Sequence, residues 1–301
     1  MQNLKVIKRV LSSSINPALN SEAANIDSLT STKRDTYEYL KTGFTAAQQW
    51  YVKYGTMTSS KLYFEMFKYL DLKSANIVFE VGSGPGNGIE LMVSEVSPDC
   101  KIIASDINQP FLNLIKEKNF KNVEIMEANF EDLPLQDKSI DRHISNMAIH
   151  NAKDSLTPLK EAHRALSNGG IMGATVFGAK TNTYIQLNST IRNFTGMPYH
   201  ASLLKNLENM GNIEPFQDLA YKAGFKEAFA FGVNTDYPFK TAEEALDLFL
   251  TFDPYIMWME QNPDRAQEFK DLVYNECRNC LEVEGKPIGY EGVILIAKKD
   301  N

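Results

Sequence analysis

The feature that most constrains the fold is a short apolar run that ends abruptly in glycines. Residues 77–81 read Ile-Val-Phe-Glu-Val, and the chain continues as Gly82-Ser83-Gly84-Pro85-Gly86-Asn87-Gly88. A run of this length, rich in β-branched residues, is typical of a strand buried in a parallel sheet. Glycines directly after it allow a sharp turn and the close approach of a ligand, which a Cβ atom would block. The sequence therefore predicts a ligand-binding turn whose following helix offers free N–H groups to an anion.

Strand-like and helix-like segments alternate beyond this turn. The pattern predicts strands at 101–105, 123–126, 142–145 and 171–177, helices at 88–97, 110–118 and 158–166, and a turn at 168–170. Such alternation indicates βαβ units, so we predict an α/β fold with a doubly wound, mostly parallel sheet and helices on both faces.

Helical patterns dominate the rest of the chain. Apolar and aromatic residues recur at helical spacing over 36–73, 180–223 and 241–288, and strand-like pieces at 225–233 and 292–297 complete seven predicted strands.

Repeats and low-complexity linkers are absent from the sequence, which favours one sheet with insertions over two independent domains. We predict an N-terminal tail and helical cap over 1–73. A single domain over 74–301 would then carry helical lid insertions at about 180–223 and 241–288.

Composition narrows the function classes. Among 301 residues, 31 Lys+Arg against 38 Asp+Glu give a net charge of −7, and the 43% hydrophobic content suffices for a large core. The acidic balance argues against nucleic acid or an anionic membrane as partner. No segment approaches the run of about 18–20 apolar residues that a membrane helix requires.

The chain has three cysteines, Cys100, Cys277 and Cys280, too few for disulfides to stabilise a fold of this length. Such a low content suits a reducing compartment such as the cytoplasm. Cys277 and Cys280 are neighbours on a predicted helix by spacing alone, and without a second pair or a nearby histidine we predict no metal or redox site there.

The N-terminus is compositionally unusual. Residues 1–21 contain Lys5, Lys8 and Arg9 but no acidic residue, and their apolar residues fall at helical spacing. This pattern is typical of a mitochondrial transit peptide. We therefore expect a cytoplasmic protein, with mitochondrial targeting as the alternative and an ordinary N-terminal helix as the other interpretation of the segment.

The spacing of the glycines excludes a dinucleotide fingerprint. In a G-x-G-x-x-G pattern the third glycine would fall on Asn87 or on Ile89. The glycines instead occupy alternate positions, and Glu80 stands two residues before the first of them.

Asp106 is the second informative acid. It comes 20 residues after Gly86, at the end of the next predicted strand. An acid at this edge of the sheet can accept hydrogen bonds from both hydroxyls of a ribose, although it can also cap the next helix.

The pattern E-x-G-x-G-x-G over 80–86 resembles motif I of the class I S-adenosylmethionine-dependent methyltransferases. Residues 129–134, 139–150 and 161–170 resemble later stretches of that family in the right order. Within the superfamily the chain is most similar to the small-molecule methyltransferases of ubiquinone and menaquinone biosynthesis. The resemblance extends over about residues 75–180 and implies a seven-stranded Rossmann-like sheet and S-adenosylmethionine as cofactor.

The resemblance also implies a set of cofactor-binding residues: Glu80, Gly82, Ser83, Gly84, Gly86, Asp106, Ile107, Asn129, Phe130 and Asn146. It places the glycines beneath the methionine part of the cofactor and Glu80 near its ammonium group, with the ribose on Asp106 and the adenine on Ile107. Asn129 stands where the family usually has Asp, which keeps an acceptor oxygen but loses the charge.

Catalytic candidates are fewer, because a sulfonium carbon is already electrophilic and the protein chiefly aligns donor and acceptor and excludes water. His150 is the candidate general base, with a capping or core histidine as the alternative. Tyr51 and Tyr54 are candidates to close over the cofactor, with core packing as the alternative. Tyr199-His200 and Tyr290-Glu291 are further candidates in the acceptor region.

We accordingly predict methyl transfer to a small, partly apolar molecule by in-line displacement, at a carbon, oxygen or nitrogen atom that the sequence leaves open. The alternatives are a methyltransferase-like structural or assembly subunit with little or no catalysis, and aminopropyl transfer from the decarboxylated cofactor. The expected partner is a small-molecule substrate, and a protein partner or a homo-oligomer remains open.

Overall fold

The computed structural model describes residues 51–180, 182–197, 206 and 208–300. Its strands are β1 (Ile77–Val81), β2 (Lys101–Asp106), β3 (Val123–Glu127), β4 (Ile140–Asn146), β5 (Leu166–Phe177), β6 (Glu227–Asp236) and β7 (Gly289–Lys298). Its helices are α1 (Thr56–Phe67), α2 (Asn87–Glu95), α3 (Gln109–Glu117), α4 (Thr157–Ala165), α5 (Thr183–Thr195), α6 (Ile213–Ala223), α7 (Ala242–Leu250), α8 (Asp253–Gln261) and α9 (Ala266–Arg278).

The strands form one seven-stranded sheet in the order β3-β2-β1-β4-β5-β7-β6. Strands β1 to β5 are parallel, and β7 runs antiparallel to both β5 and β6. The predicted fold class is therefore confirmed. The strand order reverses between β1 and β4, and such a switch point opens a crevice at the carboxyl ends of the strands, where ligands bind in α/β sheets.

Apolar residues cover both faces of the sheet, as β7 illustrates. Ile294 and Ile296 belong to the core shared with α1, α2 and the helices of the insertions, while Val293 and Leu295 belong to the core shared with α4 and α6. This alternation follows from the period of two along a strand. Within the described residues, no helix is both long and apolar enough to span a membrane.

Helix α1 packs closely on the sheet at two glycines. A Cβ atom on Gly173 of β5 would lie 2.7 Å from Sδ of Met66, and one on Gly292 of β7 would lie 2.6 Å from Cδ2 of Leu62. Both contacts are far below an ordinary van der Waals distance, so the missing side chains allow α1 to lie this close to the sheet.

Most predicted elements are present within a few residues of their expected bounds, and the turn expected at 168–170 lies inside an observed strand as an irregularity. This segment belongs to β5, which begins at Leu166. The backbone of Gly169 donates to the carbonyl of Asp300 at 2.9 Å, and Lys299 donates to that of Gly170 at 2.9 Å. Gly169 has a φ of +74°, and the pairing of β4 with β5 jumps from Ile140–Leu166 to Arg142–Ile171, so the chain bulges at these glycines.

Helices α5 to α9 fall within the predicted insertions. The division of the chain at residue 73 stays a prediction, because most of the proposed N-terminal cap, including the basic segment 1–21, lies outside the described residues.

Candidate functional site

The glycine loop between β1 and α2 adopts a backbone that favours glycine. Gly82, Gly84 and Gly86 have φ angles of +73°, +53° and +84°. A Cβ atom on Gly82 would lie 2.4 Å from Cβ of Ala148, whereas one on Gly84 would meet no atom of the described residues within 4 Å. The loop is thus packed at Gly82 and open at Gly84, where a ligand can approach the backbone.

Ser83 holds this loop against the end of β2 by hydrogen bonds. Its backbone N–H donates to the carbonyl of Ser105 at 2.9 Å, and its Oγ accepts from the N–H of Ser105 at 3.1 Å. The hydroxyl of Ser105 donates to the carbonyl of Glu80 at 2.8 Å. The role of Ser83 in the structure is therefore to hold the loop in place.

Asp106 ends β2 beside the open part of the loop. One carboxylate oxygen accepts from the N–H of Gly84 and the other from the N–H of Asn108, both at 2.9 Å. Burial raises the pKa of Asp106, and the two N–H groups oppose this rise. Each oxygen keeps a lone pair for a further donor, so the carboxylate can accept a diol beside Gly84.

Glu80 is fully buried on β1. Its Oε1 accepts from the hydroxyl of Tyr63 on α1 at 2.5 Å, while its Oε2 has no hydrogen-bond partner within the described residues. Burial raises the pKa of Glu80 to about 7, and the charge of Asp106 adds to the rise that Tyr63 and Ser83 oppose. A buried carboxylate oxygen without a donor is costly, and it marks a place where a ligand's donor fits.

The end of β4 borders the same crevice. Asn146 is buried, and its Oδ1 accepts from the hydroxyl of Thr175 on β5. Met147 follows with a φ of +55° and donates its N–H to Oγ1 and to the carbonyl of Thr175, both at 3.0 Å. A left-handed residue other than glycine is strained, and such strain clusters at functional sites.

The residues expected near an adenine lie on the other side of the loop. Ile107 and Phe130 are both buried, in the segments that follow β2 and β3. Asn129 uses its Oδ1 to accept from the N–H of Glu131 at 3.0 Å, so this oxygen already stabilises a local turn. A contact between Asn129 and a ligand stays a prediction.

Comparison with known proteins shows which family this region is similar to. Residues 79–173 match the sequence profile of a family described as "Methyltransferase domain". The matched range contains Glu80, the glycine loop, Asp106 and Asn146. Residues 79–173 are thus similar to a methyltransferase domain. The resemblance found in the sequence is thereby confirmed, and α1 and the helices after β5 lie outside the matched range.

Two curated relatives show the extent of the similarity. The chain is 32% identical over 103 residues to a malonyl-[acyl-carrier protein] O-methyltransferase from a Marinomonas species, a match that covers 34% of this chain and 38% of the relative. It is 35% identical over 102 residues to a ubiquinone/menaquinone biosynthesis C-methyltransferase from Rickettsia prowazekii, covering 31% and 41%. The chain thus spans about two fifths of the length of the curated relatives it matches.

The fold has a solved counterpart in phosphoethanolamine N-methyltransferase 2 from Haemonchus contortus, in complex with S-adenosyl-L-methionine. The TM-score is 0.57 at 15% identity, and the match covers 90% of this chain and 61% of that one. At this identity the likeness establishes the fold of the sheet and its helices.

His150 lies just beyond β4 of the methyltransferase domain, but in the core. Its ring contacts that of Phe177 with centroids 5.3 Å apart, and its Nδ1 has no hydrogen-bond partner within the described residues. Burial lowers the pKa of His150 to about 4. The imidazole is therefore a weak base at neutral pH, which favours the alternative of a packed core histidine, and its catalytic role stays a prediction.

The two N-terminal tyrosines occupy different environments. Tyr54 is buried against Phe239, with ring centroids 6.3 Å apart. Tyr51 is half-buried and packs its ring against Phe111 on α3, 5.9 Å away. Tyr51 thus lies beside the helix that follows Ile107, whereas Tyr54 packs in the core.

The candidate residues of the acceptor region also lie in different environments. Tyr290 is buried and donates its hydroxyl to Oγ1 of Thr58 on α1 at 3.0 Å. Glu291 points to the other face of the sheet, where its carboxylate accepts from Lys180 at 2.6 Å. Tyr199 and His200 lie outside the described residues.

An aromatic cluster beyond β4 and β5 was not predicted from the sequence. We define it as His150, Phe177, Tyr184, Tyr237 and Tyr290. Phe177 and Tyr290 have ring centroids 4.8 Å apart, and Tyr184 lies 5.9 Å from both Tyr237 and Tyr290. Its members come from five separate segments, so no local sequence pattern reveals the cluster.

Cys277 and Cys280 are buried and unpaired. Burial raises the pKa of Cys277 to about 12. The described part of the chain holds no group of three His, Cys, Asp or Glu side chains that is suited to a metal ion.

Proposed function

We propose that the chain transfers a methyl group from S-adenosylmethionine to a small, partly apolar molecule by in-line displacement. The observation that carries this proposal is the glycine loop, open at Gly84 and flanked by the buried carboxylates of Glu80 and Asp106. These groups lie at the switch point of a sheet whose residues 79–173 match the methyltransferase family.

The residues present fit this cofactor. The open space at Gly84 admits a ligand against the backbone, and Asp106 offers acceptor oxygens to ribose hydroxyls. Among the described residues Oε2 of Glu80 has no donor, and an ammonium group supplies one. When bound, S-adenosylmethionine supplies a methyl group on a positively charged sulfur, which a nucleophile attacks directly.

The protein's own contribution is binding, orientation and exclusion of water. Ser83 and Asp106 hold the loop rigidly, so little motion has to be frozen when a ligand binds. Asn146 and Met147 are held by Thr175 at the end of β4. A fixed edge of this kind supports catalysis that depends on alignment more than on a general base.

The aromatic cluster supports a partly apolar acceptor. His150 lies inside the matched methyltransferase region, whereas the other four rings lie after it, on β5, α5 and β7 and just after β6. Aromatic rings with hydroxyl groups suit a flat or partly apolar molecule. The relatives named for quinone biosynthesis and for a malonyl-carrier substrate agree with a small acceptor group.

A purely structural role accounts less well for these features. Three left-handed glycines and an unpartnered buried carboxylate oxygen reduce the stability of the folded state. Without a ligand to bind, the chain has no physical need for this arrangement.

Calorimetric titration with S-adenosylmethionine and S-adenosylhomocysteine tests the proposal. We expect micromolar binding that Asp106→Ala abolishes, because the variant loses the carboxylate that anchors the loop. Absence of binding at millimolar ligand by wild-type protein with an intact circular dichroism spectrum would overturn the enzymatic role and favour the assembly subunit.

Two glycine variants provide a matched pair for this titration. Gly84→Ala and Gly285→Ala both place a Cβ atom at positive φ, +53° and +64°, with nothing within 4 Å. Both should cost about 1 kcal/mol of stability. Only Gly84→Ala should weaken binding, by at least about tenfold, because its methyl group projects where the ligand approaches.

A further inference from the structure

Tyr63 reaches the candidate cofactor site from outside the matched methyltransferase region. It lies on α1, which precedes residues 79–173, and its side chain is buried against β1. Its hydroxyl donates to Oε1 of Glu80 at 2.5 Å, which is short for a hydrogen bond between hydroxyl and carboxylate oxygens.

Asn146 at the end of β4 is the other polar side chain that acts on this hydroxyl. Thr175 donates to Oδ1 of Asn146, which leaves the amide nitrogen of Asn146 for another acceptor. The side chain of Asn146 lowers the pKa of Tyr63, against the rise that burial and Glu80 cause. The hydroxyl directs its proton to Glu80, so Oε1 is satisfied, while Oε2 has no donor within the described residues.

The sequence contains a glycine that makes room for this contact. A Cβ atom on Gly88, in the first turn of α2, would lie 2.2 Å from Cζ and 2.3 Å from the hydroxyl oxygen of Tyr63. Gly88 is the fourth of the alternating glycines, but unlike the first three it does not have a positive φ that would require glycine. Its absent side chain is the space that the Tyr63 ring occupies.

We propose that Tyr63 is a positioning residue of the cofactor site, which holds Oε1 of Glu80 so that Oε2 is presented to the ligand's ammonium group. The proposal rests on the proposed function. It makes cofactor affinity depend on the docking of α1, an element that the methyltransferase family match does not include.

The hydrogen bond from Tyr63 should affect ligand affinity through the charge of Glu80. The titratable groups that act on this carboxylate are Tyr63 from α1 and Asp106 from β2, with Ser83 as a further donor. Burial raises the pKa of Glu80 to about 7, and the hydrogen bond from Tyr63 opposes this rise. Affinity for a ligand with an ammonium group should therefore increase with pH up to about 7 and then level off, and removal of the Tyr63 hydroxyl should move this inflection to higher pH.

Tyr63→Phe, assayed with two probes, tests the proposal. S-adenosylhomocysteine carries the ammonium group, and 5′-methylthioadenosine lacks the whole amino-acid part. At pH 7.5 we expect the variant to bind S-adenosylhomocysteine about tenfold more weakly, the size of one charge-assisted hydrogen bond, and 5′-methylthioadenosine as well as wild type does. The pH inflection for S-adenosylhomocysteine should rise in the variant, while 5′-methylthioadenosine should show none attributable to Glu80.

Two further variants complete the experiment. Tyr274→Phe removes a comparable tyrosine–glutamate bond, 2.7 Å to Glu243 on the surface between α9 and α7, and should leave both affinities unchanged. Gly88→Ala displaces the Tyr63 hydroxyl by another route and should reproduce the selective loss.

The outcomes separate the two proposals. If wild type binds neither probe, the proposed function fails and this inference with it. If wild type binds both, and Tyr63→Phe weakens them equally or leaves the pH inflection in place, Tyr63 has only a structural role and the inference alone is overturned.

Discussion

Glu80 illustrates, at the scale of one residue, how a binding group can oppose stability. Its pKa rises from 4.5 to about 7 because the carboxylate is buried. Between these values the folded state binds more protons than the unfolded state, so the contribution of Glu80 to stability is complete at low pH and is lost as the pH rises through 7. The loss amounts to at most about 3 kcal/mol.

Glu80→Gln should therefore stabilise the ligand-free protein at alkaline pH. We expect a free energy of unfolding up to about 3 kcal/mol above that of wild type at pH 8, and a difference near zero at pH 5. Urea unfolding of both proteins at both pH values measures this difference in the free energy of unfolding. His143 and His150, whose pKa values burial lowers to about 4, contribute equally to both proteins and cancel in the difference.

The same variant should lose affinity for S-adenosylhomocysteine at pH 8, because the amide carries no charge for an ammonium group. A variant that is less stable than wild type at pH 8 would contradict this account of Glu80.

At the scale of elements, α1 is held to the sheet by Thr58. The carbonyl of Thr58 accepts from the hydroxyl of Thr235 on β6, and its Oγ1 accepts from the hydroxyl of Tyr290 on β7, both at 3.0 Å. Together with the close packing over Gly173 and Gly292, these bonds set the position from which α1 presents Tyr63.

Thr58→Val keeps the shape of this side chain but removes the acceptor, which leaves the buried hydroxyl of Tyr290 without its bond to Thr58. We expect a loss of about 1–3 kcal/mol in the free energy of unfolding, measured in urea. Ser60→Ala is the control, because the Ser60 hydroxyl bonds within the helix, to the carbonyl of Thr56 at 2.8 Å. Equal losses in the two variants would mean that Thr58 does not hold α1 to the sheet.

At the scale of the whole molecule, the helical insertion shares its core with the sheet. Cys277 and Cys280 near the end of α9 belong to the same apolar cluster as Cys100, which precedes β2. All three thiols are buried and unpaired. If sheet and insertion unfold as one unit, the three cysteines become exposed together.

The thiol reagent DTNB tests this cooperativity. Native protein should react slowly, with the three thiols sharing one rate equal to that of global unfolding, and rapidly and completely in guanidinium chloride. Faster reaction of Cys277 and Cys280 than of Cys100 would show that the insertion opens independently. Cysteine-to-serine variants at 277 and 280 assign the phases.

Local patterns account for the parts of the structure that the sequence predicted well. Buried strands such as Ile77–Val81 and the glycines after it depend on residues close together in the chain. Gly169 and Gly170 also bend the chain, with Gly169 at a φ of +74°, but hydrogen bonds to residues just beyond β7 place this bend inside β5. The aromatic cluster escapes prediction because its members meet only in the folded chain.

By itself the sequence determined the doubly wound sheet, the glycine loop and the acids at 80 and 106, because strand period, glycine φ and the ends of strands are local properties. Only the tertiary structure decided what surrounds them. Burial set the pKa values of Glu80 and His150, and the packing of α1 brought the Tyr63 hydroxyl to Glu80. In the sequence, the contact is reflected by Gly88, where a Cβ atom would clash with Tyr63. This constraint cannot be read from the sequence, because Tyr63 stands 25 residues away and only folding brings it near.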